Sequence, residues 1–131
     1  MIRISRLALV GLVIGAIAGS SSVARAQGNV KRGSEVWKSR SCDGCHSIGK
    51  GRRAGPDLLG VTDRRSEAWL RKWLHDPPAM LDSGDSTAQA LLAEAKGVRM
   101  ANLHLSDSDI SALLSYIQDE SRKVGATAKK G

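Results

Sequence analysis

Apolar positions along the chain fall into five groups, separated by polar or glycine-rich stretches. The first, Leu7 to Ala18, is an unbroken run of apolar residues and glycine. The other four are sparse and spaced for helices. Val30, Gly33, Val36 and Trp37 share one face and predict a helix over Gly28–Arg40, with Asn29 as its N-cap. Trp69, Leu70, Trp73 and Leu74 recur at i, i+1, i+4 and i+5 and predict a second helix over Asp63–His75, capped by Ser66 and ended by Pro77 and Pro78. A connector over Ala79–Asp85 leads to a short helix, Ser86–Lys96, with Ala90, Leu91 and Ala95 inward and Gly97 as its stop. The last helix starts at Ser106, pairs that residue with Asp109 in a capping-box-like arrangement, and turns Ile110, Leu113, Leu114 and Ile117 inward. No strand pattern and no repeat is present, so the pattern predicts an all-α fold of about four to five helices in one domain. From Val124 to Gly131 the glycine, alanine and lysine content predicts a disordered tail.

The first apolar group reads as something other than core. Arg3 and Arg6 precede it, serines 20 to 22 break it, and Ala24-Arg25-Ala26 supplies small residues around a cleavage point. Residues 1–26 therefore read as a secretory signal, leaving a mature domain of residues 27–131 that is exported to the periplasm. The run is shorter than the roughly 20 apolar residues that a spanning helix needs. It would hold the chain at a membrane only if it were left uncleaved.

Candidate chemistry is concentrated in Cys42-Asp43-Gly44-Cys45-His46. A thioredoxin-type redox pair would need a βαβ setting, half a zinc site would need a second ligand pair, and a disulfide across so short a loop would be strained. Covalent attachment of a c-type haem explains the spacing instead. Two thiols one helical turn apart can add to the two neighbouring vinyl groups of the porphyrin. The histidine that follows then lies under the iron as a nitrogen ligand. Both cysteines are consumed, and a buried porphyrin would provide apolar volume to a chain with no phenylalanine, one tyrosine and three tryptophans.

With the glycine-rich loop Ser47–Gly60 and its Gly55-Pro56-Asp57-Leu58, the chain resembles the class I, or monohaem, c-type cytochromes. The helix ending in Trp37, the later Met100-Ala101-Asn102-Leu103 and the terminal helix belong to the same resemblance. It implies a cytochrome c fold wrapped around one haem c held through Cys42 and Cys45. It also implies that the Pro56 carbonyl orients His46, that Leu58 packs on the haem, and that Met100 is the second axial ligand of the iron. Met80, His75 and His104 are the other candidates for that last position. Alanine stands at 101 where the family's loop has proline, so the loop is less fixed in φ. An indole N–H from Trp69 or Trp73 could meet a haem propionate.

Charge adds a partner. The full chain carries 20 basic and 13 acidic residues, net +7. Removing Arg3, Arg6 and Arg25 with the signal leaves net +4. Lys38, Arg40, Lys50, Arg52 and Arg53 against Asp43 account for all of that excess. Such a cluster beside the haem-attachment segment implies steering of an acidic redox-partner protein. Nucleic acid is set aside, because the chain is exported and lacks any base-reading motif. The function expected is one-electron transfer between redox proteins with no catalysis of its own. The alternative is the haem c subunit of a periplasmic oxidoreductase resembling the sulfite dehydrogenases.

Overall fold

A computed structural model describes residues 20–129 as helices joined by loops; the expected signal falls mostly on residues 1–19, outside the described residues. In chain order the helices are α1 (Ser20–Ser39), α2 (Cys42–Cys45), α3 (Val61–Arg64), α4 (Glu67–His75), α5 (Pro77–Asp82), α6 (Ser86–Glu94) and α7 (Asp107–Ala128). Among the described residues the only strand-like feature is an isolated bridge between Ser47 and Asp57. The all-α expectation holds.

Helices α1 and α7 cross through glycine. A Cβ at Gly33 would lie 2.1 Å from the Ala112 carbonyl oxygen and 2.6 Å from the Tyr116 Cβ, so only the bare backbone permits the approach. Trp37 and Tyr116 pack beside the crossing with ring centroids 5.8 Å apart. Arg32 closes its other side on Asp109 at 2.6 Å. Val36, Trp37, Leu70, Leu74, Ile110, Leu113, Leu114 and Ile117 are buried around it, as their spacing implies.

Several expected boundaries move. α1 is already helical at Ser20, the first described residue, so Asn29 lies inside a helix and caps nothing; no proline interrupts residues 20–28. The second predicted helix is two. Arg65 and Ser66 adopt extended backbone, and the Ser66 hydroxyl accepts the Trp69 N–H at 3.3 Å, starting α4 afresh. Pro77 and Pro78 follow α4, but they also open α5 inside the expected connector. Proline at the first helical positions loses no hydrogen bond, and Asp76 caps the turn by accepting the Ala79 N–H at 3.1 Å. In α6 the fully buried alanine is Ala88, while Ala90 is exposed. The last helix continues through Val124 to Ala128, against the expected disorder from that point. Val124 is half-buried against Gly49, and Ser121 Oγ accepts the Gly60 N–H at 3.0 Å, so the loop holds the helix end down.

Candidate haem-binding site

The single turn α2 separates its two thiols by one helical step, leaving Cys42 half-buried and Cys45 exposed. The His46 N–H donates to the Cys42 carbonyl at 2.9 Å and closes the turn, which fixes where the imidazole emerges. Burial pushes the Cys42 thiol up to about 11, and the neighbouring Asp43 carboxylate adds to the rise. A redox-active cysteine pair needs the opposite shift.

His46 is held from behind. Its Nδ1 lies 2.9 Å from the Pro56 carbonyl oxygen. A carbonyl can only accept, so Nδ1 carries the proton and Nε2 keeps its lone pair for a metal. Gly55 is the residue that lets this happen. A Cβ there would sit 2.4 Å from His46 Cε1 and 2.8 Å from Nδ1. The Gly55 N–H in turn donates to the Cys45 carbonyl at 2.8 Å, tying the loop to the attachment turn.

Asp57 sets the shape of the loop. Its Oδ1 accepts the N–H groups of Gly49 at 2.8 Å and Leu59 at 2.9 Å, and its Oδ2 accepts Gly51 at 2.6 Å. Partial desolvation works to raise its pKa, but the three backbone donors outweigh it and hold the carboxyl below its ordinary value. Sequence reasoning missed this role. The signal was an aspartate among glycines, a side chain suited to organising turn backbone.

Two adjoining spaces, of about 270 Å³ and about 120 Å³, share Cys42, His46, Pro56, Trp73, Leu91 and Met100 as walls, with Leu103 between them. They are two lobes of one slot. Leu58 lines the smaller lobe, with Trp69, Leu113 and Leu114. Arg40 and Arg99 stand at the larger lobe, Arg64 and Arg65 at the smaller. Of the four candidate second ligands, Met100 alone lines the slot. Met80 and His75 border an open groove on the far side of α4 and α5. His104 is exposed at φ +50°, lines neither lobe, and is fixed when its N–H donates to Asn102 Oδ1 at 2.8 Å. That Asx turn restrains the methionine loop where Ala101 does not.

Trp69 has another use than a haem propionate: its indole N–H points at the Asp85 carboxylate, 3.2 and 3.3 Å from the two oxygens. The basic cluster is partly engaged as well. Arg52 meets Glu94 at 3.8 Å, and Arg53 donates to the Asp43 carbonyl oxygen.

The residues present fit a covalently attached haem. Apolar walls enclose a slot with two thiols at the attachment turn, one imidazole with its Nε2 free, and a thioether on the same slot. This is the soft and nitrogen donor set that porphyrin iron takes, and the basic side chains at both lobes suit an anionic periphery.

Comparison with known proteins agrees. The cytochrome c family profile matches residues 30–121. Among solved structures, the cytochrome c domain of a Pseudomonas putida protein is 34% identical, with a TM-score of 0.65, over 74% of this chain and 94% of that one. A cytochrome c from Rhodothermus marinus shares the fold at 24% identity and a TM-score of 0.67, over 74% of this chain and 80% of that one. An engineered form of a cytochrome c from the same organism, bound to a carbene intermediate, gives 24% identity and a TM-score of 0.61, over 86% and 91% of the two chains. No curated protein matches. The chain belongs to the cytochrome c family, of class I, whose members generally carry electrons and bind haem c covalently through a cysteine pair, found here at Cys42 and Cys45.

Proposed function

We propose that the chain is an exported one-electron carrier with a His46/Met100 iron site. The observation that carries this reading is that both lobes of the slot share His46 and Met100, while Met80, His75 and His104 line neither. A haem held by these residues would supply a one-electron couple, accepting an electron from a donor and passing it on. The chain's own contribution is to keep His46 oriented through Pro56 and to exclude water with Trp73, Leu91 and Leu103. With His46 and Met100 as its protein donors, the iron would have a higher potential than with two imidazoles and would have no free position for bond chemistry.

Holoprotein spectra test the ligand. The wild type is expected to show a methionine–iron charge-transfer band and to bind carbon monoxide slowly in the ferrous state. Met100→Ala removes the band and opens the iron to carbon monoxide; Met80→Ala leaves both unchanged. Loss of the band in Met80→Ala, or rapid carbon monoxide binding by the wild type, would overturn the reading.

Docking follows from charge. Lys38, Arg40, Lys50, Arg52 and Arg53 are all exposed and flank the attachment segment in sequence, which supports weak, fast docking of an acidic redox protein. Its rate should fall steeply between low and physiological ionic strength. Export is supported by the signal-like residues 1–26. Mass spectrometry of the protein from a periplasmic fraction should give a chain starting at Gln27; an intact Met1 in the membrane fraction would instead mean an anchor.

A further inference from the structure

Asp85 joins two walls of the slot without touching it. Its Oδ1 accepts the Ala88 N–H at 2.9 Å and so caps α6. The same carboxylate faces the Trp69 indole N–H at 3.2 and 3.3 Å. Trp69 stacks on Trp73 with centroids 5.5 Å apart and ring planes 10° apart, and the Arg65 guanidinium lies over Trp69 at 5.7 Å. Trp73, from α4, and Leu91, from α6, both line both lobes beside Met100. One carboxylate thereby fixes the α6 wall through its cap and the α4 wall through a stacked pair.

We propose that Asp85 and Trp69 are a positioning pair that sets how tightly Trp73 and Leu91 close on Met100. The functional consequence rests on the His46/Met100 reading, since tight walls slow the departure of the thioether. α6 begins two residues after Gly84 (φ +75°), and among the described residues two other side-chain contacts anchor it: Gln89 Nε2 donates to the Leu81 carbonyl at 2.7 Å, and Glu94 meets Arg52 at 3.8 Å. The carboxyl of Asp85 is kept below its ordinary pKa by the Ala88 N–H first, then by the Trp69 indole, against some desolvation. The pair is therefore charge-assisted at neutral pH.

The test uses ferrous holoprotein, which is diamagnetic when low-spin. Asp85→Ser keeps a capping hydroxyl but is too short to reach the indole. It should shift the Trp73 indole and Met100 methyl resonances, although Asp85 lines neither lobe. Trp69→Phe keeps a stacked ring and loses the donor. Each variant should bind carbon monoxide roughly fivefold faster, the upper end for a charge pair at an exposed site. The double variant should be no faster than either single one, and Asp85→Asn, whose amide oxygen can accept both donors without the charge, should fall between the wild type and Asp85→Ser. Unchanged Trp73 and Met100 resonances in a folded Asp85→Ser protein would overturn the proposal, as would rate effects that multiply in the double variant. Rapid carbon monoxide binding by the wild type would instead sink the ligand reading, and the resonances would still decide the pair.

Discussion

Replacing Gly55 with alanine tests the link between the glycine loop and the proximal histidine. The added methyl would lie 2.4 Å from His46 Cε1, 2.8 Å from Nδ1 and 3.0 Å from Nε2. Carbon atoms rest at about 3.5–4.0 Å, so either the imidazole or the loop must retreat by roughly 1 Å. The bond from His46 Nδ1 to the Pro56 carbonyl starts at 2.9 Å. A retreat of that size takes it beyond hydrogen-bonding range. Overpacking costs about 1–3 kcal/mol, and the lost bond about 0.5–1.5 kcal/mol. Gly55→Ala should therefore lose about 2–4 kcal/mol in denaturant unfolding of the holoprotein. It should also lower the basicity of His46 toward iron, read as a shifted potential. Gly44→Ala is the matched control, because nothing lies within 4 Å of a Cβ there and its φ is ordinary. It should change stability by less than about 0.5 kcal/mol. Equal stability and an unshifted potential in Gly55→Ala would refute the claim that this glycine seats the histidine.

Gly33→Ala should cost about 3 kcal/mol, because its methyl would meet backbone at Ala112, which cannot rotate away; thermal and denaturant midpoints measure it. Asp57→Asn should flatten the acid limb of the stability curve. The native carboxyl lies below its ordinary pKa, so its contribution is full above about pH 4 and is lost as pH falls through the lowered value. A wild-type and variant pair with parallel curves from pH 5 to pH 2 would contradict this. Ser106→Ala removes the cap that accepts the Asp109 N–H at 3.2 Å and should cost about 1 kcal/mol, with Ser106→Thr close to wild type.

The resemblance to a known family carried more of the site than the helical pattern did. Cysteine spacing pointed to haem from local chemistry alone, since two thiols and a histidine on one turn leave few other uses. Helix faces were legible for the same reason: Val36, Trp37, Ile110, Leu113, Leu114 and Ile117 follow a period that the core enforces. Boundaries were harder. The break at Ser66 and the start of α5 at Pro77 depend on a hydroxyl and a carboxylate choosing capping roles over solvated ones. The end of α7 depends on a loop some sixty to seventy-five residues earlier in the chain, where Gly49 and Gly60 receive Val124 and Ser121.

From its sequence alone, this protein has its attachment motif and its helical class, because each is set by spacing within one or two turns. Tertiary structure decides what those pieces meet. It brings Pro56 to Nδ1 of His46, closes Gly55 against the ring, and gives the indole of Trp69 to Asp85. It also brings Met100 rather than Met80 to the slot. The physical reason is that these contacts join segments from nine to more than fifty residues apart, so they exist only after burial has fixed how the helices pack.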